Sequence, residues 1–183
     1  MSNVTLITGP PGIGKTTVLS KTAEDLASRG YKIGGMTSHE LRENGNRVGF
    51  KIEDYISGSN GWLAHIHQPV GPRISKYRVN LHNLDSIGVA AITRAVKTAD
   101  IVVIDEIGPM ELVSENFRSA VEEAVNSVKP LLGTIHFRTR HRIITHLEIG
   151  ESCRVIEVTT INRDRLPNQL VDKVLKLLGT TAV

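Results

Sequence analysis

Residues 4–17 read VTLITGPPGIGKTT, and the fold follows from how that stretch is read. A short apolar, β-branched run (Val4, Leu6, Ile7) leads into glycines at positions 9, 12 and 14. Lys15, Thr16 and Thr17 come next, and helical spacing begins after them. This is the pattern G-x-x-x-x-G-K-[ST] between a strand and a helix. Glycines let consecutive backbone N–H groups converge on an anion, and the helix start adds unpaired N–H groups and a partial positive charge. Gly9, Pro10, Pro11, Gly12, Ile13, Gly14, Lys15, Thr16 and Thr17 are therefore read as a cradle for nucleotide phosphates. Lys15 is placed to reach the β- and γ-phosphates, and the Thr16 hydroxyl to ligate Mg²⁺.

Working outward, Val18, Leu19, Thr22, Ala23 and Leu26 share one helical face, with a stop expected near Arg29 and Gly30. Tyr31 to Thr37 reads as a second strand. Two extended arms, Ser38–Arg42 and Arg47–Asp54, then flank a hairpin tip at Glu43-Asn44-Gly45-Asn46. The stretch from Tyr55 to His82 is rich in glycine and proline, so turns and short strands are expected, one of them over Lys76–Leu81. Trp62 and Leu63 are read as its anchors in the core, with base stacking as the less favoured alternative for Trp62. Helical spacing returns from Leu84 to Ala99, and again at Phe117, Ala120, Val121, Ala124, Val125 and Val128 with Ser114 as N-cap. Strands are expected over Pro130–Ile135 and Arg154–Thr159, and helices over Ile143–Ile149 and Pro167–Leu178, the last closed by Gly179.

A second chemical element stands at residues 101–112, IVVIDEIGPMEL. An almost wholly apolar strand suits the middle of a parallel sheet, and an acid at its carboxyl end suits a phosphate-loop site. Asp105 is read as the Mg²⁺ ligand, with Val102, Val103, Ile104, Ile107, Gly108 and Pro109 completing the nucleotide-binding stretch. Glu106 is read as the base that orients and polarises a water for in-line attack on the γ-phosphoryl group. Thr134 and His136 end the next strand one period-2 step apart. Either contact with the γ-phosphate or attacking water, or structural hydrogen bonding, accounts for them. His136 and Arg138 join Lys15 and Glu106 as catalytic candidates, and any of Arg138, Arg140 and Arg142 could meet transition-state charge in cis or in trans. Asn162 and Arg163 follow the last strand, in a loop placed either to meet the nucleotide or to cap the final helix.

Strands alternating with helices imply an α/β fold with a mostly parallel sheet flanked by helices, and ligands at the carboxyl ends of the strands. With 183 residues the chain suits one domain over 1–183, the 38–81 region being an insertion that extends the sheet. The formal net charge of +3 is spread along the chain, so nucleic acid is a possible partner that nothing specifically indicates. One cysteine, Cys153, excludes an internal disulfide framework and reads as an inert thiol. No apolar run approaches the roughly 18 residues of a membrane span, and the chain enters a core strand without a leader. A cytoplasmic monomer with no membrane partner is the expectation.

The segments GPPGIGKTT, GGMTSHELRENGNRVGFKI, GWLAH, VGPRISKYRVNL, VVIDEIGPMEL, GTIH and TINRDRLP together resemble the THEP-type, or cancer-related, nucleoside-triphosphatase family. The likeness spans nearly the whole chain, and its middle segments are more specific than the phosphate loop. It implies a RecA-like core with extra antiparallel strands. It also implies Mg²⁺-dependent hydrolysis of ATP, GTP and other nucleoside triphosphates with little base selectivity, with Gly9–Thr16 and Val102–Pro109 as the nucleotide-binding stretches. From the residues alone, two other readings stay open. One is a kinase for a nucleotide, nucleoside or RNA end, with the 38–81 region holding the acceptor. The other is a nucleotide-gated binding module with slow hydrolysis.

Overall fold

The computed structural model describes residues 3–146 and 153–180. Nine strands form one mixed sheet: β1 (Val4–Thr8), β2 (Ile33–Glu43), β3 (Asn46–Asp54), β4 (Asn60–His65), β5 (Arg73–Ile74), β6 (Tyr77–Val79), β7 (Ile101–Ile107), β8 (Leu131–Ile135) and β9 (Cys153–Glu157). Their order across the sheet is β5-β6-β4-β3-β2-β7-β8-β1-β9. The run β2-β7-β8-β1-β9 is parallel throughout, and β3, β4, β6 and β5 extend it with antiparallel pairings. The expected parallel core with added strands from the 38–81 region is therefore the fold.

Helices cover both faces of the parallel part. On one face, α1 (Lys15–Ser28) and α6 (Leu166–Thr180) close over Ile7, Ile33, Ile101, Val103 and Leu132. The five residues read as the inner face of α1 are its five buried ones. On the other face, α2 (Leu81–Asn83), a π-helical segment (Leu84–Val89) and α3 (Ala90–Thr98) join α4 (Glu115–Asn126) and α5 (Arg140–His146) over Leu6, Met36, Val102 and Ile104. A short 3₁₀ turn, Glu111–Val113, leads into α4, whose N-cap Ser114 accepts the Phe117 N–H as expected.

Several expectations are corrected. Strand β2 starts at Ile33 rather than Tyr31 and runs unbroken into the hairpin, so the parallel strand and the first hairpin arm are one element. The tip shrinks to Asn44-Gly45, both with positive φ (49° and 79°), the signature of a two-residue I′ turn. The helix expected from Leu84 starts at Leu81, where the Asn80 side chain accepts the Asn83 N–H, and it widens to a π segment before α3. Val128 lies beyond the end of α4 and is 79% exposed, because the chain leaves the helix at Ser127 in an extended conformation to reach β8. Helix α6 passes through Gly179 instead of stopping before it. The expected helix at 143–149 is shifted to begin at Arg140, and residues 147–149 lie outside the described residues.

Trp62 is the clearest misreading. It is 48% exposed, while its neighbour Leu63 is buried. The β3–β4 register shifts between Phe50 and Lys51, which pair with Ala64 and Trp62. Neighbours on a strand face opposite ways, so Leu63 in the core leaves Trp62 on the other face, and the bulge at Leu63 lets Ala64 join the core and returns His65 to the side of Trp62.

Candidate active site

The carboxyl ends of β1, β7 and β8 meet at one point, and the phosphate loop rises from it. The Thr8 hydroxyl donates to the Ile135 carbonyl at 3.0 Å, tying the last residue of β1 to the end of β8 before the loop begins. Gly9, Gly12 and Gly14 all take positive φ, and Gly14 in a left-handed conformation leads directly into α1. Lys15 rests its ammonium on the Gly9 carbonyl at 3.1 Å, within the loop that it serves.

Strand β7 brings two carboxylates to this point. Its pairing with β8 is regular to Ile104↔Gly133 and resumes at Ile107↔Ile135, so one extra residue is inserted across Asp105 and Glu106. Bulges of this kind re-aim side chains beside active sites. Both carboxylates consequently feel Lys15. Asp105 is buried, and the hydroxyls of Thr134 and Thr16 donate to it. Burial raises its proton affinity; those two hydrogen bonds, His39 and Lys15 oppose the rise. Glu106 is pushed up to about 7 by burial, with Lys15 countering and Asp105 adding to the effect.

A third acid, Glu111, completes the cluster, and the sequence reading passed over it. It is buried, and its carboxyl is pushed up to about 8, first by burial and then by Glu106. Gly108 lies between the two side chains: a Cβ on it would stand 2.9 Å from Glu106 Oε1 and 3.1 Å from Glu111 Oε2. Glu111 also accepts the Gly108 N–H, so it fixes the turn that carries Glu106. One acid inside the apolar run Gly108-Pro-Met-Glu-Leu was the available signal.

His136 follows β8 and is half-buried near Lys15. Burial lowers its proton affinity, and Lys15 and Arg138 lower it further. Its Nδ1 lies 3.0 Å from the Thr139 hydroxyl, and its N–H donates to the Ile107 carbonyl. Arg138 is exposed, and Arg140 donates to the Phe137 carbonyl and lies over the Phe137 ring. Lys15, Thr16, Asp105, Glu106, Thr134 and His136 are thus brought together. Asn162 is used differently: its Oδ1 accepts the Thr159 N–H at 2.8 Å and its Nδ2 donates to the Glu157 carbonyl at 2.8 Å, closing its own loop. Both bonds run back toward the end of β9, so its side chain does not cap α6, which begins at Leu166. Arg163 is exposed and faces Asp164 at 3.9 Å.

The donor set fits a hard divalent cation such as Mg²⁺. One carboxylate and one hydroxyl stand side by side at the phosphate loop, as Mg²⁺ prefers when substrate phosphates and water supply its other ligands. No group of three or more histidine, cysteine or acidic residues able to cage a metal occurs among the described residues.

Comparison with known proteins identifies the family and the fold. The family described as NTPase matches residues 4–171. The chain belongs to that family. It is 51% identical over 176 residues to the nucleoside-triphosphatase THEP1 of Thermofilum pendens, covering 95% of this chain and 96% of that one. It is 47% identical to the protein of the same name from Methanosarcina acetivorans, over 94% and 97% of the two chains. Among solved structures, THEP1 from Aquifex aeolicus superposes with a TM-score of 0.79 at 25% identity, covering 93% of this chain and 99% of that one. A human cancer-related nucleoside triphosphatase superposes with 0.76 at 30% identity, over 96% and 98%.

Proposed function

We propose that the protein is a Mg²⁺-dependent nucleoside-triphosphatase that hydrolyses ATP, GTP and other nucleoside triphosphates to the diphosphate and phosphate. The observation that carries this reading is the bulge in β7, which turns Asp105 and Glu106 together toward Lys15 at the mouth of the phosphate loop. The name of the relatives, nucleoside-triphosphatase, supports the hydrolytic part of this reading.

The loop amides and Lys15 hold the β- and γ-phosphates and meet the charge that develops between them. Thr16 and Asp105 hold Mg²⁺, which neutralises phosphate charge when it is bound with the nucleotide. Glu106, with a proton affinity near neutrality, accepts the proton of the attacking water. In this reading His136, which lies near Lys15, meets the γ-phosphate, and the exposed Arg138 beyond it supplies a cation to the transition state. Because the Asn162 amide is spent within its own loop, phosphates and metal provide most of the binding energy, which favours low base selectivity.

A survey of phosphate release from ATP, GTP, CTP and UTP, with and without Mg²⁺, tests the reading. Glu106→Gln should bind nucleotide nearly as well as the parent while turnover falls about 10²-fold or more. Undiminished turnover in that variant removes Glu106 from the base role. A rate unaffected by chelation removes the metal.

A further inference from the structure

The extension of the sheet carries a feature that hydrolysis does not use. Trp62 is the only tryptophan in the chain, it is largely exposed, and it stacks on His65 with ring centroids 4.2 Å apart at 23°. The His65 ring is buried and held in place, since the His67 N–H donates to its Nδ1 at 3.1 Å. A side chain at Gly49 would collide with it: a Cβ there stands 2.8 Å from His65 Cδ2. The aromatic pair is a built platform.

Register places this platform in line with the active site. Trp62 pairs with Lys51, and Lys51 pairs with His39, so the three stand side by side on β4, β3 and β2. They lie on the face of β2 to which Ile33 belongs, which is the face of α1 and the phosphate loop. His39 is near enough for its charge to act on Asp105. From β4 to β7 is three strand spacings, or about 14 Å, a separation suited to a nucleotide rather than to a bare phosphate. Charge along the row favours an anion. Lys51 is there, as is Arg78, the cross-strand partner of His65. Glu53 is the carboxylate beside Lys51, loosely paired at 3.8 Å.

We propose that this row is a second-ligand subsite for a nucleoside monophosphate. Its base lies on Trp62, and its phosphate meets Lys51 and points toward the end of β7. Stacking tolerates any base, so the row selects for the phosphate and its distance from the ring. The subsite is independent of the hydrolytic reading above, because none of its side chains belongs to the phosphate-loop machinery.

The test uses the fluorescence of Trp62 in the full chain, titrated with AMP, with adenosine and with inorganic phosphate. AMP should quench saturably, and both fragments should bind at least about tenfold more weakly. Quenching by AMP should persist in Lys15→Ala and weaken about tenfold in Lys51→Ala. By calorimetry, Trp62→Ala should lose AMP binding and Trp62→Phe keep it. Both Trp62→Ala and Lys51→Ala should retain the parent's ATP hydrolysis and melting temperature. Absence of saturable quenching overturns the subsite, as does equal affinity for adenosine. Loss of quenching in Lys15→Ala would place AMP in the phosphate loop and overturn it as well.

Discussion

Strands β1, β7 and β8 are buried along nearly their whole length and covered by helices on both faces, whereas β3 and β4 meet helices on one face and leave the other open. The two regions handle ligands differently for that reason. In the parallel half, chemistry is confined to the strand ends, where backbone amides and a few end residues converge on phosphate. In the antiparallel half, side chains standing on an open sheet face do the recognising, and their meaning depends on which way each one points. The first arrangement is rigid and local. The second depends on register.

The largest expected effect belongs to the first region. Lys15→Ala should lower hydrolysis about 10³-fold, because it removes the one ammonium that both Asp105 and Glu106 face. Its melting temperature should stay near that of the parent, since Lys15 is not buried and bonds only to its own loop. A variant that instead melts early would mean that the loop and the strands beneath it are not separable, and the contrast between the regions would be blurred.

The seam between the regions is β2, and Gly34 and Gly35 set how closely it fits. Gly35 has φ near +123°, and a Cβ on it would stand 1.9 Å from the Val103 carbonyl oxygen on β7. Gly34 would press against Ala95 and Ala99 of the helix layer. Gly35→Ala must therefore both strain the backbone and push β7 away, and should cost about 4 kcal/mol in urea unfolding. Wild-type stability in this variant would show that the halves can slide at the seam.

A smaller, pH-dependent effect separates the structural role of Glu111 from the chemistry next to it. Its carboxyl stays protonated in the folded protein up to about 8, while the unfolded chain ionises near 4.5. Between those values the folded state holds the extra proton, so nucleotide-free stability should fall as pH rises through that window, and the contribution is complete below it. Glu111→Gln cannot ionise and should flatten the decline by about 2 kcal/mol between pH 6 and pH 8. An unchanged pH profile in thermal melts would assign the decline to other groups.

What could be read from the sequence follows the same division. The phosphate loop and the Asp105–Glu106 pair are contiguous motifs, and contiguity survives folding, so their positions at the start of α1 and the end of β7 were legible in advance. The inner face of α1 was read without error because a helix has a single period to follow. Glu111 was missed because its significance lies in packing against Glu106 across Gly108, which no spacing rule encodes. Trp62 was misassigned because two neighbours on a strand cannot both face the core, and which of the two does is decided by the pairing rather than by the strand alone. His39 escaped notice for a related reason. It comes near enough to influence Asp105 because β2 continues past the end of its pairing with β7 at Met36↔Ile104.

The smallest effect tests the far end of the open region. Gly45 also has a positive φ, 79°, but nothing lies within 4 Å of where its Cβ would be. Gly45→Ala therefore strains the backbone of the I′ turn without a collision, and should cost only about 1 kcal/mol. The turn closes β2 onto β3 with Glu43↔Asn46 as its last pair, remote from the Thr16–Asp105 contact, so ATP hydrolysis should be unchanged. The two glycine variants make a matched pair in one strand system. Each carries one methyl group at a positive φ, and only Gly35 adds a clash with β7. If Gly45→Ala slowed hydrolysis, the hairpin would be mechanically coupled to the end of β7 through His39. The open face could then no longer be treated as a separate ligand surface.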